Sequence, residues 1–231
     1  MESEGRKLHG EAEQAREKGD FEKALILTDQ ATIAYQKERD DLGLSEVQAS
    51  RFITFKHLFQ NTGYKSYEVL MRIAAETSVE IARLSKIPEA LALPLFNLGK
   101  AYQEMHMYQE AVPILEEAVT EITTHPSEMH NRPAVVADIK GHLYYCQYKS
   151  GNKSALEETE QALTEIETSD EEKYNKDVWL SGAHMRITDM LRADNPDKAK
   201  EHLQKAKVII DANPDLKLRA KQWEKLKSTF S

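Results

Sequence analysis

The sequence predicts an all-α protein, a right-handed α-solenoid of five helical hairpins followed by a C-terminal capping helix. Three observations indicate this class. The 231 residues include only 9 Gly and 7 Pro and are rich in Ala, Leu, Glu and Lys, which lose little rotamer freedom in helices. Pairs of alanines recur at a regular spacing along the chain. Between these pairs, apolar residues three, four and seven positions apart form the stripes that amphipathic helices require.

The composition also limits the classes of function. The net charge of −8 disfavours nucleic-acid binding, which needs a basic surface. The first residues lack the apolar run of a signal peptide, and no stretch approaches the roughly 20 apolar residues of a membrane span. We therefore expect a cytoplasmic protein with no nucleic-acid partner and no membrane partner.

Alanine pairs seven residues apart mark the second helix of each predicted hairpin. Two alanines at this spacing lie on one helix face, where their small side chains let another helix approach closely. In the second hairpin, Tyr67 stands at the first position and Ala74 at the second. Successive pairs are 43 or 44 residues apart, which predicts a repeat. The other pairs are Ala24 and Ala31, Ala111 and Ala118, Ala155 and Ala162, and Ala199 and Ala206.

The first helix of each hairpin precedes its alanine pair and carries one apolar stripe. The clearest stripe is Leu95, Leu98 and Tyr102, beside Gly99, whose missing side chain permits close packing. A last stripe predicts a capping helix, because the open end of a stacked array must be covered. This stripe consists of Leu216, Ala220, Trp223, Leu226 and Phe230.

One unit of the chain matches a known repeat signature. Leu95, Leu98, Gly99, Tyr102, Ala111, Leu115 and Ala118 resemble the tetratricopeptide (TPR) signature, and the resemblance covers about residues 5–211. The period near 44 exceeds the usual 34 and is similar to lengthened variants of that family. The resemblance implies one repeat domain over 1–231. Its hairpins are expected near 4–39, 45–85, 88–124, 132–168 and 171–211, with the capping helix at 214–229.

Several helix starts are predicted from capping residues. Ser45 with Gln48 and Ser169 with Glu172 have the spacing of capping boxes. Asn195 and Asn213 each precede a proline, which favours an N-cap followed by the first helical residue.

The resemblance implies protein binding rather than catalysis. In TPR proteins the first helices line a concave groove that takes an extended peptide or a partner helix. We therefore expect a non-enzymatic scaffold or adaptor with a protein or peptide partner. The groove candidates, chosen by position on the first helices, are His57, Gln60, Phe96, Asn97, Lys100, Gln103, Tyr145, Tyr148, His184 and Arg192.

Asn97 is the most specific of these candidates. It resembles the Asn with which several long-repeat TPR adaptors hold a peptide backbone, a task that suits an amide because it both donates and accepts hydrogen bonds. No other unit carries Asn at this position, so a ladder of asparagines is not expected.

Two alternative functions remain open. Residues 196–231 carry 9 basic and 5 acidic side chains, whereas the rest of the chain carries 22 and 34. This asymmetry would suit self-assembly of the acidic body with the basic C-terminal end of another copy. A groove lined by aromatic residues would also suit a sensor of a peptide or small ligand.

No pattern in the sequence predicts catalysis or a cofactor. The chain lacks a phosphate-binding loop, a GxSxG elbow, a dinucleotide glycine pattern and the HExxH spacing of a zinc site. Cys146 falls on an apolar stripe, so we expect it to be a buried small hydrophobe rather than a nucleophile. We predict no enzyme activity, no cofactor and no metal.

Overall fold

A computed structural model describes residues 3–127 and 130–230, and these residues form helices and connecting turns with no strand. The all-α class predicted from the sequence is therefore confirmed. Short 3-10 turns occupy Pro88–Ala90 and Ser228–Phe230. The helices are α1 (Glu4–Glu17), α2 (Phe21–Glu38), α3 (Asp41–Thr62), α4 (Lys65–Ser85), α5 (Ala92–Glu104), α6 (Tyr108–Thr124), α7 (Pro133–Lys149), α8 (Ala155–Thr168), α9 (Lys173–Leu191), α10 (Pro196–Ala212) and α11 (Lys217–Lys227).

The chain divides into two compact units. Unit 1, Met1–Ser127, contains the hairpins α1–α2, α3–α4 and α5–α6. Unit 2, Glu128–Ser231, contains the hairpins α7–α8 and α9–α10, followed by α11. The single domain over 1–231 stays a prediction.

Side-chain caps start four of the described helices: Ser3 caps α1, and three more residues cap α2, α3 and α10. Asp20, Asp40 and Asn195 precede α2, α3 and α10, and their side-chain oxygens accept hydrogen bonds from backbone N–H groups of the first turn. The Asn195 cap, with Pro196 at the first helical position, was predicted and is confirmed. The donors are Lys23 at 3.1 Å, Gly43 at 2.8 Å and Lys198 at 3.2 Å, in that order.

The predicted cap at Ser45 is wrong. Asp40 and Asp41 start α3 earlier, because an acidic cap and first turn complement the positive end of the helix dipole. Ser45 is therefore inside α3 and fully buried. Its hydroxyl donates to the carbonyl of Ser78 in α4 at 2.9 Å, and the Ser78 hydroxyl donates back to the Ser45 carbonyl at 2.9 Å.

The predicted caps at Ser169 and Asn213 are also wrong. Each residue ends a helix instead of starting one: Ser169 follows α8, and Asn213 follows α10. The Ser169 hydroxyl donates to the carbonyl of Ile166 at 2.7 Å, and Asn213 accepts from the backbone N–H of Asp215 at 3.2 Å. Residues of this type satisfy free backbone groups at either end of a helix, so their presence alone did not determine which end.

The core of unit 1 is built on close helix approach. The Tyr35 ring of α2 is fully buried between Gly5 of α1 and Gly43 of α3. A methyl group at either glycine would overlap the ring, so both positions require a residue without a side chain. Gly99 on α5 has the same role, since a methyl group there would overlap Leu115 of α6. The close packing predicted at Gly99 is thus confirmed.

The recurring alanines lie inside both units. In unit 1, Ala24, Ala31, Ala74, Ala111 and Ala118 are all buried. In unit 2 the buried set is Ala155, Ala162, Ala199 and Ala206. The small side chains of the second helices therefore face neighbouring helices, as the spacing predicts.

The helix α11 closes the C-terminal end of unit 2. Trp223 packs in a cluster with Met185 of α9 and Leu203 of α10, and its indole N–H donates to the Leu203 carbonyl at 2.8 Å. Leu216 completes the buried part of this cluster, and Phe230 packs against it. The predicted apolar stripe of the capping helix is thus the surface that α11 buries.

Candidate binding surface

The first helices of unit 1 lie side by side. Arg6 of α1 pairs with Glu46 of α3 at 2.6 Å. One helix further on, the Gln60 amide of α3 donates to the Glu104 carboxylate of α5 at 2.8 Å. Gln60 and Glu104 are 44 residues apart, so the bond joins equivalent positions of successive hairpins.

A short motif is repeated on α3 and α5. Phe52 is followed four residues later by Lys56, and Phe96 is followed four residues later by Lys100. The ammonium of Lys100 lies 4.2 Å from the centroid of the Phe96 ring and 6.0 Å from that of Phe52. Lys56 approaches the same Phe52 ring to 5.8 Å. Two cations therefore flank one buried aromatic ring, in the distance range of cation–π attraction.

Asn97 is on α5, three residues before Lys100. The residue is only 8% exposed, and its amide has no hydrogen-bond partner among residues 3–127 and 130–230. Its amide atoms are not among the buried unpaired polar atoms of these residues, so they keep contact with solvent and are open to a ligand. Gln103, half-buried and three residues after Lys100, continues the same helix face. We refer to Lys56, Gln60, Phe96, Asn97, Lys100 and Gln103 as the α3–α5 surface.

His57 lies apart from that surface. Its ring stacks on Phe21 of α2, with ring centroids 6.1 Å apart and planes 29° apart. The side chain is thus between α2 and α3. Of the six candidates in unit 1, Phe96 and Lys100 are in contact, Asn97 and Gln103 are on the same helix as these two, and Gln60 contacts that helix through Glu104.

In unit 2, the predicted residue Tyr145 belongs to a charged cluster between α7 and α9. Its hydroxyl donates to the Asp189 carboxylate at 2.7 Å, and Lys149 pairs with the same carboxylate at 2.9 Å. Arg192, which is exposed, reaches Asp189 at 3.3 Å. Burial alone would raise the pKa of Asp189, but the hydrogen bonds from Tyr145 and Lys149 outweigh it and hold that pKa below its ordinary value.

Tyr148 makes a similar contact one turn further on. Its hydroxyl donates to Asp194 at 2.9 Å, and Lys153 pairs with Asp194 at 2.8 Å. The hydrogen bonds from Lys153 and Tyr148 lower the pKa of Asp194. Both predicted tyrosines therefore direct their polar atoms to partners inside unit 2.

A third cluster between α7 and α9 is buried. Arg186 donates to the Asp138 carboxylate at 2.9 Å and to the imidazole of His142 at 2.7 Å. Arginine always donates, so His142 accepts through Nε2 and is neutral in this contact. Since Arg186 and His142 are 44 residues apart, this bond also joins equivalent positions of successive hairpins.

His184, the remaining candidate, faces the second helix of its own hairpin. Its Nδ1 lies 3.0 Å from Nδ1 of His202 on α10, and both residues are buried. The four candidates of unit 2 are thus divided between contacts to Asp189, to Asp194 and to His202.

Sequence reasoning missed Lys56, Asp138, Arg186 and Asp189. A signal was present, because the 44-residue period aligns Phe52 and Lys56 with Phe96 and Lys100. Applying that period to every first-helix position would have selected Lys56 as the partner of Lys100. It would also have paired Tyr145 with Asp189, which are 44 residues apart.

The described residues give little support for a metal site, a nucleophilic cysteine or a membrane span. Residues 3–127 and 130–230 hold no group of three or more His, Cys, Asp or Glu side chains placed to bind a metal ion. Cys146 is fully buried, and burial raises the pKa of its thiol to about 12, which makes it a hydrophobe rather than a nucleophile as predicted. Within the same ranges, none of the helices combines the length and apolar character that crossing a membrane requires.

Comparison with known proteins gives structural matches alone. No protein-family model and no curated protein matches the sequence. A kinesin-light-chain-like protein of Podosopora anserina with nearly identical TPR-like repeats is 19% identical, with a TM-score of 0.59 over 90% of this chain and 97% of its own. BtubC (BKLC) from P. vanneervenii is 20% identical, with a TM-score of 0.61 over 87% of this chain and 77% of its own.

A further match is a Rap protein complexed with Competence and Sporulation Factor. It is 14% identical and has a TM-score of 0.68, over 98% of this chain and 57% of the Rap chain. At these identities the likeness concerns the fold. The matched structures include TPR-like repeat proteins, and the helical hairpins and buried alanines described above follow the same pattern. This chain therefore has a TPR-like helical-repeat fold.

Proposed function

We propose that this chain is a non-enzymatic protein-interaction scaffold whose α3–α5 surface binds a peptide or a partner helix that carries a carboxylate. The observation that carries the proposal is Asn97, a mostly buried residue whose amide has no hydrogen-bond partner among the described residues and keeps contact with solvent. A bound backbone would supply both an acceptor and a donor for it.

Two lysines favour a ligand that carries a carboxylate. Lys56 and Lys100 bring two positive charges to the Phe52 ring, and each has an unbranched stem that lets its ammonium move toward a ligand. Phe96 adds apolar area beneath Lys100. An acidic side chain or a C-terminal carboxylate would meet both charges, while the neighbouring backbone would meet Asn97.

The candidates of unit 2 differ from Asn97 in their hydrogen bonding, which favours the α3–α5 surface as the binding site. Tyr145, Tyr148 and His184 have polar atoms within hydrogen-bond distance of groups inside that unit. A ligand there would have to replace these contacts, whereas a ligand at Asn97 would add one.

A peptide selection tests the proposal. Phage-displayed peptides would be selected on the whole chain, and the enriched sequences synthesised with a fluorophore, each with a matched version in which Asn or Gln replaces Asp or Glu. We expect acidic peptides to be enriched and the neutral versions to bind at least about tenfold more weakly, since charge-assisted hydrogen bonds are roughly twice as strong as neutral ones.

The variants Asn97→Ala and Lys100→Gln should each weaken binding of the selected peptide by about tenfold, measured by fluorescence polarisation. Lys65→Gln is the matched control. Lys65 lies 5.6 Å from the centroid of the Phe59 ring, a similar cation–aromatic contact, but it is on α4 and pairs with Glu68. Selected peptides that bind the Asn97 and Lys100 variants as tightly as the Lys65 variant would contradict the proposal.

A further inference from the structure

Two buried histidines face each other between α9 and α10. His184 Nδ1 and His202 Nδ1 are 3.0 Å apart, and the ring centroids are 5.2 Å apart with planes at 55°. Both side chains are more than nine-tenths buried. The pair lies in the fifth hairpin, away from the α3–α5 surface.

The contact depends on the protonation state of the two rings. One Nδ1 must carry a proton and donate it in a hydrogen bond, and the other Nδ1 must be unprotonated and accept that bond. Two neutral imidazoles provide this arrangement. One additional proton places a charge in this buried site. A second additional proton would leave N–H groups on both facing atoms and remove the hydrogen bond.

The surroundings oppose that charge. Burial, with smaller contributions from His202 and Lys205, lowers the pKa of His184 to about 4. Burial is also the largest cause of the lowered pKa of His202. The other charged groups that act on the pKa of His202 are on α8 and α10. The acidic side chains raise this pKa and the lysines lower it, and with burial the net shift is downward. These charged groups are Glu160, Lys198, Glu201 and Lys205.

The pair is next to the packing that holds the hairpin together. Thr188 of α9 donates to the Ala199 carbonyl of α10 at 3.3 Å, one turn from His184. Met185 and Leu203, the residues that follow the two histidines in sequence, belong to the cluster around Trp223. Separation of the histidines would therefore disturb both the hairpin and the contact of α11.

We propose that the His184–His202 contact is an acid-sensitive device that holds α9 and α10 together at neutral pH and releases α10, with α11, as the pH falls. This proposal goes beyond the binding function, because it concerns the integrity of unit 2 and involves none of the residues of the α3–α5 surface.

The direction of the pH effect follows from linkage. A histidine whose pKa is lowered by folding binds more protons in the unfolded state, so stability falls as the pH drops from the ordinary value near 6.5 toward the folded one. For His184 the window extends from about 6.5 to about 4. Between pH 7.5 and 5.5, His184 alone would raise the unfolding equilibrium constant about tenfold.

The two tryptophans give a signal specific to unit 2. The chain has 2 Trp, Trp179 and Trp223, and both lie in that unit. Urea unfolding of the whole chain would be followed by tryptophan fluorescence at pH 7.5, 6.5 and 5.5, where most carboxylates stay ionised. We expect the unfolding constant of the natural sequence to rise at least about tenfold over this range.

The double variant His184→Gln/His202→Gln should lose most of that dependence, because two amides can hydrogen-bond to each other and do not titrate. His130, whose pKa burial also lowers, contributes the remainder. The double variant retains His142 and every other histidine, so the difference isolates the pair. His106→Gln, an exposed site in unit 1, should keep the full dependence. Equal pH dependence in the double variant and the natural sequence would overturn the proposal.

If the double variant fails to fold, NMR titration of the natural chain gives an independent answer. Imidazole signals of His184 and His202 that stay neutral at pH 5.5 while the chain is folded would support the device. Ordinary titration of both rings near pH 6.5 in the folded chain would overturn it.

Discussion

Two pairs of first helices can be compared: α3 with α5 in unit 1, and α7 with α9 in unit 2. In both pairs equivalent positions are 44 residues apart, but the polar side chains at those positions bond differently. In unit 1, Gln60 bonds to Glu104, while the Asn97 amide on α5 has no partner among the described residues. In unit 2, Arg186 bonds to His142 and Tyr145 bonds to Asp189. The repeat decides which positions meet. The side chains at those positions determine whether polar groups hydrogen-bond to one another or stay available to a ligand.

The largest effect is expected at Arg186. Arg186→Met would leave the Asp138 carboxylate buried without its cation and should destabilise unit 2 by about 3–5 kcal/mol. Urea unfolding followed by tryptophan fluorescence measures this, since both tryptophans lie in unit 2. Adding Asp138→Leu should recover most of the loss, because an apolar pair has no buried charge.

A matched control is the exposed ion pair of Arg83 with Glu117 in unit 1. Arg83→Met should cost less than about 1 kcal/mol, measured by circular dichroism. A loss at Arg186 as small as that at Arg83 would show that the α7–α9 clusters contribute little, and the contrast between the two units would fail.

Close packing rather than buried charge should dominate unit 1. Gly43→Ala places a methyl group against the Tyr35 ring and should destabilise the chain by about 1–3 kcal/mol, despite the better helix propensity of Ala. Gly10→Ala is the control, because a Cβ there meets no atom within 4 Å, and it should stabilise α1 by up to about 1 kcal/mol. Thermal unfolding by circular dichroism compares them. Equal effects of the two substitutions would argue against the Tyr35 contact.

A smaller effect than at Arg186 or Gly43 is expected at Tyr145. Tyr145→Phe removes one hydrogen bond to Asp189 and should cost about 1–2 kcal/mol at pH 7. Because that bond helps to lower the pKa of Asp189, the stability it contributes is present above about pH 4 and is lost as the pH falls below it. The natural chain and the variant should therefore converge in stability in acid. Urea unfolding at pH 7 and pH 3 checks this, and a constant difference would be the contrary result.

Much of the fold was predictable because it depends on short-range patterns. Helix positions followed from apolar stripes and from alanine pairs such as Ala111 and Ala118, which one stretch of sequence displays completely. The errors were at helix ends. Ser45 and Asp40 are both good capping residues, and the side chain that reaches the free backbone groups depends on where the helix packs.

The candidate surface was predictable only in part. Phe96, Asn97 and Lys100 were found on α5 by resemblance, whereas Lys56 was missed because its relation to Lys100 appears only when hairpins are aligned at 44 residues. His57 is on the same helix as Lys56, but its ring stacks on Phe21 of α2. The phase of a helix shifts by 100° per residue, so an uncertainty of one position moves a side chain from a surface to a core.

The amino-acid sequence by itself determined the helical class, the repeat period and the small residues that let helices approach, because each is a property of neighbouring positions along one helix. Only the tertiary structure decided which polar side chains are satisfied. Asn97 and Tyr145 are both polar residues on first helices. The difference between them is a partner 44 residues away, Asp189, that only folding brings within hydrogen-bond distance of Tyr145.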